Sequence, residues 1–198
     1  MTDRLPIAVF LSGSGRTLGN LIRHRDRHDL PIDIRLVVSS RSQVRGVEIA
    51  REVGIPVEVV RKSDHPDPDA HREAMFGPCR RAGATWVVMA GFLQHVLIPP
   101  DFEHRVINIH PSLLPKFGGA GMYGRFVHEA VIAAGESETG CTVHFVDNEY
   151  DNGPPILQRR CPVEPGDTPD TLAARVFEQE CQALPDAIRK IAEGRDTP

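Results

Sequence analysis

IAVFLSGSGRTLGNLI, residues 7–22, decides how this chain is read. Five apolar residues run into a loop of serines and glycines, and the stretch from Thr17 to about Arg27 is amphipathic. A buried strand, a tight turn and a helix in that order open a strand–helix–strand unit. The loop then lies where open α/β sheets hold anions, because free backbone N–H groups and the helix dipole both favour negative charge there. Its glycine spacing fits neither common nucleotide motif. Gly13-x-Gly15 is followed by Gly19, not by a glycine three positions after Gly15, and no Gly-Lys-Ser/Thr follows. Two readings stay open: a tight turn that uses glycine for positive φ and holds nothing, or a site for a single phosphate monoester.

Outward from this stretch the alternation continues. Strands are expected at 32–40, 55–60, 85–91 and 105–110, with helices at 43–54 and 69–82 between them. The strands read as near-continuous apolar runs, as strands covered on both faces do. Past residue 117 the pattern changes. A helix is expected over 123–135. Two strands, 139–147 and 154–163, join through Asp151-Asn152-Gly153 and pair antiparallel. A long helix follows, with Thr168 as its cap and Pro169 in its first turn. Leu172, Val176, Leu184, Ile188 and Ile191 make its apolar stripe, and Pro185 is expected to interrupt and kink it. The fold class predicted is a single-domain, Rossmann-like, open and mostly parallel α/β sheet with helices on both faces. An antiparallel strand pair and a long helix complete its C-terminal part.

Composition narrows the function classes. Of 198 residues, 40% are hydrophobic and 25% charged, the balance of a globular protein. A net charge of -4 argues against nucleic acid as a partner and against an anionic membrane surface. No apolar run has the length of a membrane helix, and the N-terminus lacks the pattern of a signal peptide, so a cytoplasmic protein is expected. Cys79, Cys141, Cys161 and Cys181 form no C-x-x-C pair and read as reduced thiols. His24 and His28 have the helical spacing of a metal pair, but no third ligand is indicated and no metal is expected.

The run RVINIH places Asn108 and His110 two residues apart on an extended segment, with both side chains on one face at the sheet's carboxyl edge. An amide donor beside an imidazole suits a developing oxyanion. Asp151 is either a cap of its own turn or, if that turn folds back over the sheet edge, the partner that orients and charges His110. Ser112 lies in HPSLLP, which has none of the surroundings of a nucleophile elbow.

FLSGSGRTLGNLI, VMAGFLQHV, INIHPSLLPKF, HEAVIAAGESETGCTVHFVDNEYDNGPPILQ and ARVFEQE occur here in that order. This resembles the folate-dependent phosphoribosylglycinamide formyltransferase (glycinamide ribonucleotide transformylase) family of the formyl transferase superfamily, from about residue 7 to about 190. The resemblance implies one formyltransferase domain over 1–198, with a phosphate-binding half to about 100 and a catalytic and folate-binding half beyond it. It implies formyl transfer from 10-formyltetrahydrofolate, a co-substrate, to the primary amine of glycinamide ribonucleotide in purine biosynthesis. The family's catalytic Asn, His and Asp match Asn108, His110 and Asp151. Ribonucleotide contacts carry over to Gly13, Gly15, Arg16, Thr17, Arg72, Pro111 and Glu180. Folate contacts carry over to Phe92, Leu93, Gln94, His95, Val96, Asn108, Val146, Asp147 and Asp151. Glu180 is also notable without the resemblance: it lies on the apolar side of the last helix, where a carboxylate needs a partner.

The sequence departs from the family pattern at four places. Gln94 stands where an arginine is common and His95 where an aliphatic residue is common. KFGGAGMYGRFVHEA is long and glycine-rich, which suggests a mobile loop over the substrate. Asn152 replaces a glycine in its turn, and asparagine tolerates positive φ, so the turn is expected to persist. Small molecules are the expected partners of a monomer or homodimer. Rival readings are a methionyl-tRNA or sugar-nucleotide formyltransferase, a formyltetrahydrofolate deformylase, or a non-catalytic phosphate or folate binding module. The chain is acidic and ends early for the tRNA enzyme, and its first strand begins too soon to leave room for a deformylase's regulatory domain.

Overall fold

A computed structural model describes residues 4–27 and 29–194. In chain order the elements are β1 (Leu5–Leu11), α1 (Arg16–Asp26), β2 (Ile32–Ser39), α2 (Arg45–Glu52), β3 (Val57–Val59) and α3 (Pro68–Arg81). There follow β4 (Trp86–Met89), β5 (Val106–His110), α4 (Arg125–Ala133), β6 (Glu138–Phe145), β7 (Pro155–Pro162) and α5 (Pro169–Ala192). The strands form one seven-stranded sheet in the order β3-β2-β1-β4-β5-β6-β7. From β3 to β5 all pairs are parallel; β5–β6 and β6–β7 are antiparallel. Strand order reverses between β1 and β4, so a crevice opens beyond the carboxyl ends of those two strands.

Period-2 geometry divides β1 between two cores. Ile7, Val9 and Leu11 pack into a cluster with α1, α2, α4 and α5, whereas Ala8 and Phe10 pack with Met75, Phe76 and Cys79 of α3. This is why β1 reads as an unbroken apolar run: neither face meets water. Cys79, Cys141 and Cys161 are buried free thiols, and burial pushes those of Cys79 and Cys141 up to about 12. His24 pairs with Asp29 at 2.9 Å, and His28 lies outside the described residues. Among the described residues no helix is long and apolar enough to cross a membrane.

Thr168 and Thr171 close a reciprocal cap at the start of α5, with Pro169 just inside it. The expected interruption at Pro185 does not occur, since α5 continues through it as one element of 24 residues. A proline inside a helix leaves the carbonyl four residues earlier without its donor. Here that carbonyl is Cys181 O, and Asn20 of α1 donates to it through Nδ2 at 2.8 Å. A side chain from a neighbouring helix thus supplies the missing bond.

Gly15 caps α1 in the left-handed region with φ 69°. A Cβ there would collide with Gly46 Cα, because the start of α2 packs directly on the loop and Gly46 N donates to Gly13 O at 3.1 Å. Gly15→Ala therefore meets both a left-handed penalty of about 1–2 kcal/mol and a backbone clash. Urea unfolding is expected to show a loss of at least about 2 kcal/mol; an unchanged midpoint would refute this account of the loop.

Candidate active site

A cavity of about 490 Å³ opens at the crevice. Asn108 and His110 reach it from the last turns of β5, and the antiparallel neighbour β6 places His144 directly opposite Asn108. His110 is 3% exposed. Its Nδ1 lies 3.4 Å from Asp151 Oδ2, and its Nε2 donates to the Phe117 carbonyl at 2.8 Å. Acceptors on both sides suit a ring that carries two protons. The turn carrying Asp151 does fold back over the sheet edge, and Gly119 N also donates to Asp151 Oδ2 at 3.0 Å. Burial by itself would raise the Asp151 carboxyl. The His110 hydrogen bond and charge and the Gly119 N–H outweigh it and hold the group below the ordinary carboxylate range.

His144 is the site residue that sequence reasoning missed. It is 2% exposed, and its Nδ1 donates to the Phe145 carbonyl at 2.8 Å. Its Nε2 then accepts from Asn108 Nδ2 at 3.2 Å and lies 3.7 Å from Asp151 Oδ1. Burial is the main reason its pKa is lowered, which keeps the ring neutral and able to accept. Asn108 spends one amide hydrogen on His144 and keeps the other for the cavity. His128 of α4 also lines the cavity, with its pKa lowered by burial and by the charge of His110. Alternation in β6 puts Thr142 and His144 on one face, but only the β5–β6 register joins that face to Asn108.

Arg16 and Thr17, at the start of α1, also line the cavity. No side chain caps that helix, so its first N–H groups stay open to an anion. The Arg16 guanidinium sits 3.6 Å over the Phe177 ring. Glu180 and Pro111 line the cavity as well. Burial raises the Glu180 carboxyl to about 7, with the charges of Arg16 and His110 pulling the other way. Gly13 and Gly15 shape the loop behind the lining and are not part of it. Gly13 has neither a positive φ nor a close neighbour that would demand glycine. Arg72 pairs with Asp69 on α3 at 2.7 Å and is not among the lining residues.

Phe92 to Val96 follow the end of β4 and line the cavity together with Val146 and Asp147. Ser12 ties this segment down: its Oγ accepts from Leu93 N at 3.0 Å, and its N donates to Gly91 O at 3.0 Å. His95 Nε2 donates to the Asn148 carbonyl at 3.0 Å, and the ring rests against Tyr150 at 4.9 Å. The departure at His95 therefore holds two loops together. The turn at 151–153 persists, but the positive φ falls on Asp151 (52°), not on Asn152. Asn152 instead bonds through Nδ2 to Asp147 Oδ2 at 3.0 Å. Met122, Tyr123 and Gly124, from the glycine-rich loop, complete the lining.

Residues 5–188 match the family model described as formyl transferase. The chain is 38% identical over 196 residues to the chloroplastic phosphoribosylglycinamide formyltransferase of Vigna unguiculata. That match covers 97% of this chain and 62% of the Vigna protein, so the chain spans less than two thirds of that relative. It is 34% identical over 193 residues to the phosphoribosylglycinamide formyltransferase of Haemophilus influenzae, over 96% of this chain and 88% of that protein. Among solved structures, glycinamide ribonucleotide transformylase 1 from Symbiobacterium toebii superposes with a TM-score of 0.92 at 34% identity. It covers 98% of this chain and 91% of its own.

The Glu180 environment gives a pH dependence. Its folded pKa of about 7 exceeds the ordinary 4.5, so the folded state holds the proton more tightly than the unfolded chain. That contribution to stability is full below the unfolded value and is lost as pH rises through about 7. Glu180→Gln stays neutral throughout. Between about pH 4.5 and pH 7 the variant is expected to gain roughly 1–3 kcal/mol over the parent in urea unfolding, while the histidine contributions cancel in the difference. A pH-independent difference would contradict the burial argument.

Proposed function

This chain belongs to the formyl transferase family, and from that premise we propose that it transfers a formyl group from 10-formyltetrahydrofolate to the primary amine of glycinamide ribonucleotide, a step of de novo purine biosynthesis. The observation that carries the proposal is the convergence of Asn108, His110 and Asp151 on one cavity that the open start of α1 and the Phe92–Val96 segment also line.

The reaction moves an acyl group between two nitrogens. As the amine nitrogen bonds to the formyl carbon, the formyl oxygen becomes an oxyanion. Asn108 donates its free amide hydrogen to that oxygen. His110 turns to it the Nε2–H that the Phe117 carbonyl now holds. Asp151 keeps the imidazole charged. Through its exposed edge, with water as the relay, it carries the proton from the attacking amine to the folate nitrogen as the old C–N bond breaks. The products are the formylated amine and tetrahydrofolate. The N–H groups of Arg16 and Thr17 at the start of α1 would hold the ribonucleotide's monophosphate, and Glu180 its ribose hydroxyls. Main-chain groups of Leu93 and Val96 would read the pterin edge, with Val146 and Asp147 opposite.

Purified protein, 10-formyltetrahydrofolate and either glycinamide ribonucleotide or buffer test this, with folate release and formylated product both followed. Product is expected only with the ribonucleotide. His110→Ala is expected to lower kcat by roughly 10²–10⁴-fold while ribonucleotide affinity stays near that of the parent. Folate release in buffer alone would make water the acceptor and overturn the proposal, as would bound folate with no turnover.

A further inference from the structure

His110 of β5, Thr142 of β6 and Gln158 of β7 stand directly opposite one another in the sheet. Cross-strand partners share a face, so one row of side chains runs from the imidazole to the strand at the end of the sheet. Neither Thr142 nor Gln158 lines the cavity. Both instead hold the turn that follows His110.

The hydrogen bonds of that turn leave nothing to spare. Thr142 Oγ1 donates to Ser112 O at 2.7 Å, and it accepts from Leu114 N at 3.0 Å and from Gln158 Nε2 at 2.9 Å. One donor and two acceptors are all that a hydroxyl has. The second amide hydrogen of Gln158 goes to Leu114 O at 3.0 Å. A carbonyl can only accept, and the Thr142 hydrogen is already given, so the amide must present its nitrogen here. Within the turn Ser112 Oγ donates to Lys116 O at 2.6 Å and Lys116 N to Leu113 O at 3.2 Å. Residues 112–116 are therefore closed on themselves and fastened to the sheet at Ser112 and Leu114.

The next residues hold both members of the His110–Asp151 pair. Phe117 O takes the Nε2–H of His110, and Gly119 N donates to Asp151. Between them, Gly118 sits so close to the Leu114 side chain that a Cβ would meet it at 2.5 Å. The residue that Gln158 grips is thus the one on which this segment rests.

We propose that Gln158 is a positioning residue of the transfer reaction: through Leu114 and Thr142 it fixes the 112–117 turn, and so holds the His110 ring in the orientation that Asp151 and the Phe117 carbonyl require. This rests on the formyl-transfer reading of the site. Gln158 stands outside the cavity and acts on the ring's orientation, and a tilted imidazole loses kcat rather than affinity.

Turnover and the ring proton of His110 together test it. Gln158→Met keeps the length and loses both donors. Gln158→Glu keeps length and polarity but, as a carboxylate, only accepts. Gln158 is half-buried on the end strand, where such changes leave the fold in place. In both variants kcat is expected to fall roughly 10–10²-fold, with the KM of each substrate within about twofold of the parent. Thr142→Val is expected to behave alike, whereas Thr142→Ser keeps the hydroxyl and is expected to stay within about threefold of the parent. In a His110→Ala background, Gln158→Met is expected to cost less than about twofold more, because the residue it acts through is gone. The second readout needs no substrate. In spectra of protein with isotope-labelled histidine, the Nε2–H of His110 is identified by its loss in His110→Ala. It is expected to be sharp in the parent and in Thr142→Ser, and to broaden away in both Gln158 variants. A raised KM at unchanged kcat would overturn the proposal. So would a ring proton undisturbed in both Gln158 variants, or a full Gln158→Met loss in the His110→Ala background. If the parent moves no formyl group, the transfer reading falls, and the ring proton then decides the positioning role by itself.

Discussion

A carboxylate taken out of water must be met by donors, and Asp151 is the carboxylate around which this site is organised. Two segments supply the donors, His110 from β5 and Gly119 from the glycine-rich loop, while His144 of β6 lies 3.7 Å away. Meeting that one charge ties the strand, the loop and the turn together. The backbone is strained on both sides of the contact, with positive φ at Phe117 (56°) and Asp151 (52°). Glycine appears where the segments come closest. A Cβ at Gly118 would press on Leu114 and Asp151, and one at Gly153 would collide with the Phe145 carbonyl. The loop, the turn and the two strands are therefore one object and not four neighbours.

The same cavity holds a second carboxylate in the opposite condition. Asp151 is held ionised by surrounding donors, whereas burial raises the Glu180 carboxyl to about 7. Environments that push like groups apart let one cavity hold a fixed charge and a nearly neutral hydrogen-bonding acid near pH 7. Arg16, lying over Phe177, moderates the second together with His110.

What could be read without coordinates was whatever depends on local pattern. The two-sided apolar runs of the parallel strands, the cap at Thr168 and the shared face of Asn108 and His110 all follow from spacings within one element. So does the inward side of Glu180. What could not be read depends on which elements meet. His144 joins the site only because the β5–β6 register sets it opposite Asn108. Arg72 pairs with Asp69 one turn away on α3 and is not among the lining residues, which its spacing alone does not reveal. The turn at 151–153 puts its left-handed residue at Asp151 because the carboxylate must reach Gly119 and His110, a demand that turn propensities do not contain.

Proline in a helix is ordinarily scored as a local fault. Pro185 shows a fault repaired from outside, by an amide of α1 that reaches Cys181 O across 161 positions of sequence. Asn20 and Pro185 are therefore one unit of inheritance. With alanine at 185 the helix supplies its own donor and Asn20 becomes nearly free to vary. With proline there, losing Asn20 strands a carbonyl. The cost of a change at either position is set by what stands at the other, and a substitution table that treats sites one by one will misjudge both.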